Sequence, residues 1–303
     1  MSTVPIGVGD FEAQRRFIEH NQAFLEEFPN LFALYSKAFI RTVPPPSESE
    51  RQALLHLADD DPAVIAFEDK AMADLIVFYL GRIASDDFGE IITLSGNGRG
   101  FGAYKIVRGM YERVVTTMYI AQKPSESRPF VESSSIAKLN HINRILKAFP
   151  EMKARFDDVF MDQLRGSAAA AQAKRRESIC SKCRQPVTQD AWTRVSLDVM
   201  AKAAEPSLEV LYPQFYLEGT QQSHASMLGI ERRLIHENGA YTYKDISEEE
   251  ARFALHLGHH LMVKLLWLHN DYFKLGFDNE VRERGRAFIS IWSKKPGASP
   301  NSE

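Results

Sequence analysis

Apolar residues recur along this chain at three- and four-residue steps, and that spacing alone predicts a protein built almost wholly from helices. Behind Asp10, a residue able to cap a helix, Phe11, Phe17, Ile18, Phe24, Leu25 and Phe28 follow it as far as Pro29. A second helix is expected over residues 31–42. Pro44, Pro45 and Pro46 then form a stiff connector, and Ser47 with Glu50 opens a short helix in capping-box spacing. Asp61 and Pro62 start a longer, mostly buried helix that the pattern stops near Asp86.

Past the glycine-bearing stretch 95–102, a strongly periodic helix is expected over about 103–122. Helical patterns follow over 136–149 and from 150 onward, the latter carrying an alanine tract, 168–171, expected to project from the body. A short helix near 196–204 precedes a helical run that Pro213 must kink or restart, with 212–235 otherwise read as helix. Asn238-Gly239 beside alternating Tyr241 and Tyr243 marks a candidate hairpin within 237–246. Ser247 and Glu250 repeat the capping box, and the helix they open, to about 275, has leucines around its whole circumference and should be central. A last helix near 279–292 leads to a polar tail, 294–303, expected to be disordered. The expected fold is all-α: a multi-helix bundle with a long central C-terminal helix and at most one small β-hairpin. Residues 1–58 form an N-terminal helical add-on, 59–236 the helical core, and 237–303 the C-terminal helices packed on it.

Composition narrows the partners. With 303 residues the chain buries a core without needing a disulfide or a metal. The 37 Lys and Arg nearly balance the 40 Asp and Glu, so no long-range field draws the protein to nucleic acid or to an anionic bilayer. Residues 1–10 lack a basic segment followed by an apolar one, and the purely apolar runs are far shorter than the ~20 residues that span a bilayer. No membrane association is expected. The two cysteines, Cys180 and Cys183, are too close to read as a disulfide framework, so a reducing compartment, the cytoplasm by default, is expected. The pair is half of a zinc knuckle. No cofactor is expected unless two further ligands complete a zinc site there.

Candidate chemistry lies on three helices. On the helix over 103–122, Arg108 falls within the buried arc of Tyr104, Val107, Tyr111, Val114 and Val115, with Glu112 one turn on to partner it. An ion pair that only holds the fold answers the same observation. Tyr216, Thr220 and His224 stand four residues apart, with Tyr212 extending the stripe, and a hydroxyl beside an imidazole is the minimum arrangement for acid–base work. A hydrogen-bonded packing network answers that one. His256 and His260 share a face of the long C-terminal helix, but without a third ligand no metal is assigned to them.

The order Arg108 and Glu112 after a glycine-bearing loop, then Trp192, Met200-Ala201, Tyr212, Tyr216, Thr220 and His224-Ala225, resembles the bacterial domain-of-unknown-function family numbered 5677. The likeness covers roughly residues 65–230. It implies a helical domain in which Arg108, Glu112, Thr220 and His224 converge to form a site, and it names no reaction; these four are the candidate catalytic residues, and Tyr212 and Tyr216 the candidate ligand-binding ones. More loosely, Arg252 and His259 resemble the Arg-then-His pair of the helical ribonucleases of the higher-eukaryote and prokaryote nucleotide-binding group, although Phe253 stands where those proteins often carry a polar residue. That likeness implies RNA or nucleotide binding by Arg252 and His259, across a homodimer and without metal. Two functions are therefore carried forward. One is a prokaryotic effector of the phage-defence or toxin type, cleaving RNA with His224 as acid–base and Arg108 holding phosphate charge. The other is a non-catalytic helical sensor or scaffold for a small polar ligand or a partner protein.

Overall fold

The computed structural model describes residues 11–39, 48–176, 192–193, 195–244 and 246–293. Cys180, Cys183 and the tail 294–303 lie outside them, and with them the zinc knuckle and the disorder expected of the tail. Among the described residues the fold is all-α apart from one hairpin. In chain order the helices are α1 (Phe11–His20), α2 (Gln22–Phe39), α3 (Glu48–Leu54), α4 (Pro62–Gly96), α5 (Gly100–Gln122), α6 (Ser127–Ala148), α7 (Asp158–Arg176), α8 (Leu197–Ala203), α9 (Glu218–Ser223), α10 (Met227–Glu231), α11 (Glu248–Phe273) and α12 (Asp278–Trp292). Strands β1 (Leu234–Glu237) and β2 (Ala240–Tyr243) pair antiparallel about Asn238 and Gly239, both at positive φ as a two-residue hairpin turn requires. No helix among the described residues is long and apolar enough to cross a membrane.

The chain divides into two compact units. The first takes the described parts of 1–44, 77–121 and 197–303. Its centre is α11, where Leu255, Leu261, Met262, Leu265 and Leu266 are buried on every side and α1, α2 and α12 all make contact. Ser247 caps this helix, its hydroxyl accepting the Glu250 N–H at 3.3 Å, and Lys274 ends it in the left-handed conformation. From α5, the residues Val107, Met110, Tyr111, Val114, Val115 and Met118 are sealed from solvent.

The second unit takes the described parts of 45–76 and 122–196. Here α6 packs on α7 through Ile136, Ala168 and Ala171, and again through Ile142, Met161 and Leu164. Within this unit the alanine tract is packed on α6, its small side chains letting α7 lie close against Ile136. Arg128 reaches Asp69 at 3.0 Å and Glu68 at 3.1 Å, and Trp192 meets Phe130 edge to face at 5.1 Å.

Three helix boundaries differ from the pattern. The first break falls at Asn21, whose side-chain amide donates to the Phe17 carbonyl at 2.9 Å, while Pro29 sits inside α2. One proline removes one backbone bond, and the buried row Phe24, Leu31, Leu34 and Ala38 outweighs it. The helix expected to stop near Asp86 runs to Gly96, because Asp87 is paired with Arg113 at 2.5 Å and Phe88 and Ile91 continue the buried face. Residues 212–235 are not one helix. A π turn occupies Pro213–Leu217, His224 is extended at φ −103°, and the chain restarts at Ser226, whose hydroxyl accepts the Gly229 N–H at 3.1 Å.

Candidate functional site

Arg108 is the hub of the cluster the spacing pointed to. Its Nε–H donates to Thr220 Oγ1 at 2.9 Å and one terminal NH2 donates to the Tyr216 hydroxyl at 3.2 Å. The guanidinium carbon stands 4.7 Å from the Tyr216 ring centroid, so the cation also faces the aromatic surface. The other terminal nitrogen, Nη1, approaches Glu112 at 3.8 Å, a loose ion pair rather than a hydrogen bond. Tyr212 stacks on Tyr216, rings 5.1 Å apart and 21° from parallel, and burial, followed by the neighbouring Tyr216, pushes its phenol pKa up.

Two features that the sequence did not flag position this group. Gly219 lies where α9 crosses α5: a Cβ there would come within 2.6 Å of Arg108 Cβ and 3.0 Å of the Tyr104 carbonyl. Only glycine lets the two backbones approach this closely. Gly219→Ala is expected to cost about 1–3 kcal/mol. It should also open the Arg108–Thr220 contact, which a Tm measurement together with the arginine Nε–H resonance in an NMR spectrum would check. The second feature is Tyr111, buried one turn from Arg108, whose hydroxyl donates to the Leu208 carbonyl at 3.0 Å. Leu208 N–H in turn donates to Ala201 O at 2.9 Å, so the Met200-Ala201 pair anchors the segment that delivers Tyr212.

His224 does not join the cluster. It ends α9, its backbone N–H donating to Thr220 O at 3.1 Å, and its side chain is exposed. Among the described residues no hydrogen bond, ion pair or ring contact links its imidazole to Arg108, Glu112 or Thr220. The Thr220 hydroxyl is itself committed: it donates to the Tyr216 carbonyl at 2.6 Å while accepting from Arg108. A hydroxyl with its proton already placed is not poised to be activated by a base.

Arg252 and His259 do meet, through a third residue. The Trp292 indole N–H donates to His259 Nδ1 at 3.1 Å, and the Arg252 guanidinium lies 5.9 Å from the Trp292 ring centroid. His259 is wholly buried against Phe24 and Phe288, and burial pulls its pKa down to about 3. Because Nδ1 accepts, the neutral ring carries its proton on Nε2, which is buried with no hydrogen-bond partner. Such an imidazole stays neutral and out of a substrate's reach. Among the described residues no three His, Cys, Asp or Glu side chains gather as a metal would need.

No curated protein and no solved structure matches the chain. A family model does match, over residues 74–241, and that span carries Arg108, Glu112, Tyr212, Tyr216, Thr220 and His224 while leaving Arg252 and His259 outside. With more than half of its length matched, the chain belongs to the family described as "Family of unknown function (DUF5677)".

Proposed function

We propose that this protein is a non-catalytic helical binding protein in which Arg108 receives an anionic group of a small polar ligand. The observation that carries this reading is the state of the guanidinium. Thr220 and Tyr216 hold two of its nitrogens, and the third has only Glu112, 3.8 Å away, with the side chain 25% exposed. A fork fixed at one edge and loosely engaged at the other is pre-organised for a carboxylate or phosphate that displaces the Glu112 carboxylate. The stacked Tyr212 and Tyr216 rings add a flat surface beside it.

RNA cleavage by a phage-defence effector, with a homodimer and an RNA partner, is the weaker reading. It needs an acid–base group against the substrate, whereas the exposed His224 imidazole makes no contact with Arg108 among the described residues and His259 is sealed. We place the protein in the cytoplasm on its cysteine usage.

The test uses the purified protein and its Arg108→Lys, Arg108→Ala and His224→Ala forms, with inorganic phosphate, pyrophosphate and AMP as probes in calorimetric titration. At least one probe should bind the parent, and Arg108→Lys, still folded by circular dichroism but with a Tm lowered by loss of the Thr220 and Tyr216 bonds, should weaken it roughly tenfold or more. His224→Ala should bind as the parent does. Degradation of total RNA by the parent but not by His224→Ala would overturn this proposal in favour of cleavage.

A further inference from the structure

A groove lies between α2 and α4 in the first unit, away from Arg108. Its volume is about 610 Å³, inside the ~300–1,000 Å³ range of small-molecule sites. Phe32, Tyr35 and Ser36 line it from α2, and Asp86, Gly89 and Glu90 from α4.

Gly89 first draws notice because nothing in the packing asks for it. It sits in the interior of a 35-residue helix, where glycine is less favourable than alanine, and a Cβ built there would meet no atom within 4 Å. What a side chain at 89 would occupy is the groove. The α2 wall carries a second loose end, for Ser36 Oγ is buried and without a hydrogen-bond partner. A buried hydroxyl in that state is unfavourable, and a ligand group bonded to it would relieve the cost.

Charge and shape identify the occupant. Asp86 and Glu90, one turn apart, put two carboxylates along the same rim. The single cation among the lining residues, Arg82, comes no nearer to Asp86 than 3.7 Å, and Glu90 has no ion pair among the described residues. The negative field is felt across the groove: burial and then Asp86 raise the Tyr35 phenol pKa, against the opposing pull of Arg82. Phe32 is half exposed, its ring edge to face with Tyr35 at 5.0 Å, and Leu94 adds to the apolar wall.

We propose that this groove binds a small organic cation, its ammonium taken by Asp86 and Glu90, its apolar body laid against Phe32 and Tyr35, and the Ser36 hydroxyl bonded to a polar atom of the ligand. The Arg108 reading plays no part in this assignment. The probe is phenethylamine, with phenylacetate, close in shape and opposite in charge, as the comparison. Saturation-transfer NMR and titration on the full chain should show the amine binding and the acid not. Gly89→Leu fills the groove while favouring the helix, so it should lose binding at least tenfold at equal or higher Tm. Asp86→Asn with Glu90→Gln should weaken the amine about tenfold or more, and Arg108→Ala should leave it unchanged. No amine binding at millimolar concentration, equal binding of phenylacetate, or a Gly89→Leu or Arg108→Ala result opposite to these would each overturn the assignment.

Discussion

Replacing Gly100 with alanine is expected to destabilise the protein by about 1–3 kcal/mol, the usual cost of forcing extra atoms into a packed contact. Gly100 opens α5, and a Cβ there would lie 2.3 Å from Ala251 N and 2.6 Å from Glu250 C. Both are backbone atoms of the first turn of α11, so no change of rotamer clears the clash. That turn cannot retreat freely either, since Ser247 N–H is bonded to the Gly98 carbonyl at 3.0 Å. Gly102→Ala is the control. Its Cβ would meet Leu94 at an ordinary 3.7 Å, and helix propensity favours alanine there by about 1 kcal/mol. Urea unfolding followed by circular dichroism checks the pair, and a Gly100→Ala midpoint equal to that of Gly102→Ala would refute the close approach of α5 and α11.

Acid is expected to weaken the fold through the histidines of α11. Burial, reinforced by His256 and His260, holds His259 at about 3, and burial, reinforced by Lys264 and His256, holds His260 at about 4. His256 is lowered in the same direction by burial and Arg252. An unfolded chain binds protons at these sites with a pKa near 6.5 while the folded chain does not, so stability is unaffected above that pH and falls as pH drops below it. For His259 and His260 the loss levels off near the folded values and is on the order of 3–5 kcal/mol each at its limit, a large part of the ~5–15 kcal/mol typical of a native protein. Asp87 acts in the opposite sense, because burial raises its carboxyl to about 6 despite Arg113, and protonation between about 6 and 3.8 favours the folded form. His260→Phe keeps a ring against Phe288 and Phe215 and removes one titration. Its urea midpoint should decline less steeply than the parent's between pH 6.5 and 4, and a parent midpoint that does not decline there would reject the account.

The helices were legible where a local signal coincided with burial. The Ser247–Glu250 capping spacing marked the start of α11 because the cap bond is local, and four-residue spacing brought Tyr216 and Thr220 together because that stretch keeps a helical course to Ser223. Nothing local foretold that Pro29 would be absorbed by α2, since the compensation comes from tertiary burial of Leu31 and Leu34. The placement of His224 turns on similar information. Spacing places it in line with Thr220 only if the helix continues, and the extended backbone at 224 ends that line. Gly219 and Tyr111 carry long-range information: the glycine matters for what lies across from it on α5, and the phenol for a carbonyl at 208. A glycine inside an otherwise helical run, read as a crossing point, was the available hint.

The π turn at Pro213–Leu217 has a bearing on how this region tolerates change in length. Such a turn holds one amino acid more than an ordinary coil of the same height, so the stretches before and after it are wound out of phase by about 100°. A deletion of Leu217 would leave the backbone free to close as regular helix, change the Tyr216–Thr220 spacing and swing the hydroxyl ring away from the guanidinium. The same loss in the hairpin turn would leave that pairing untouched.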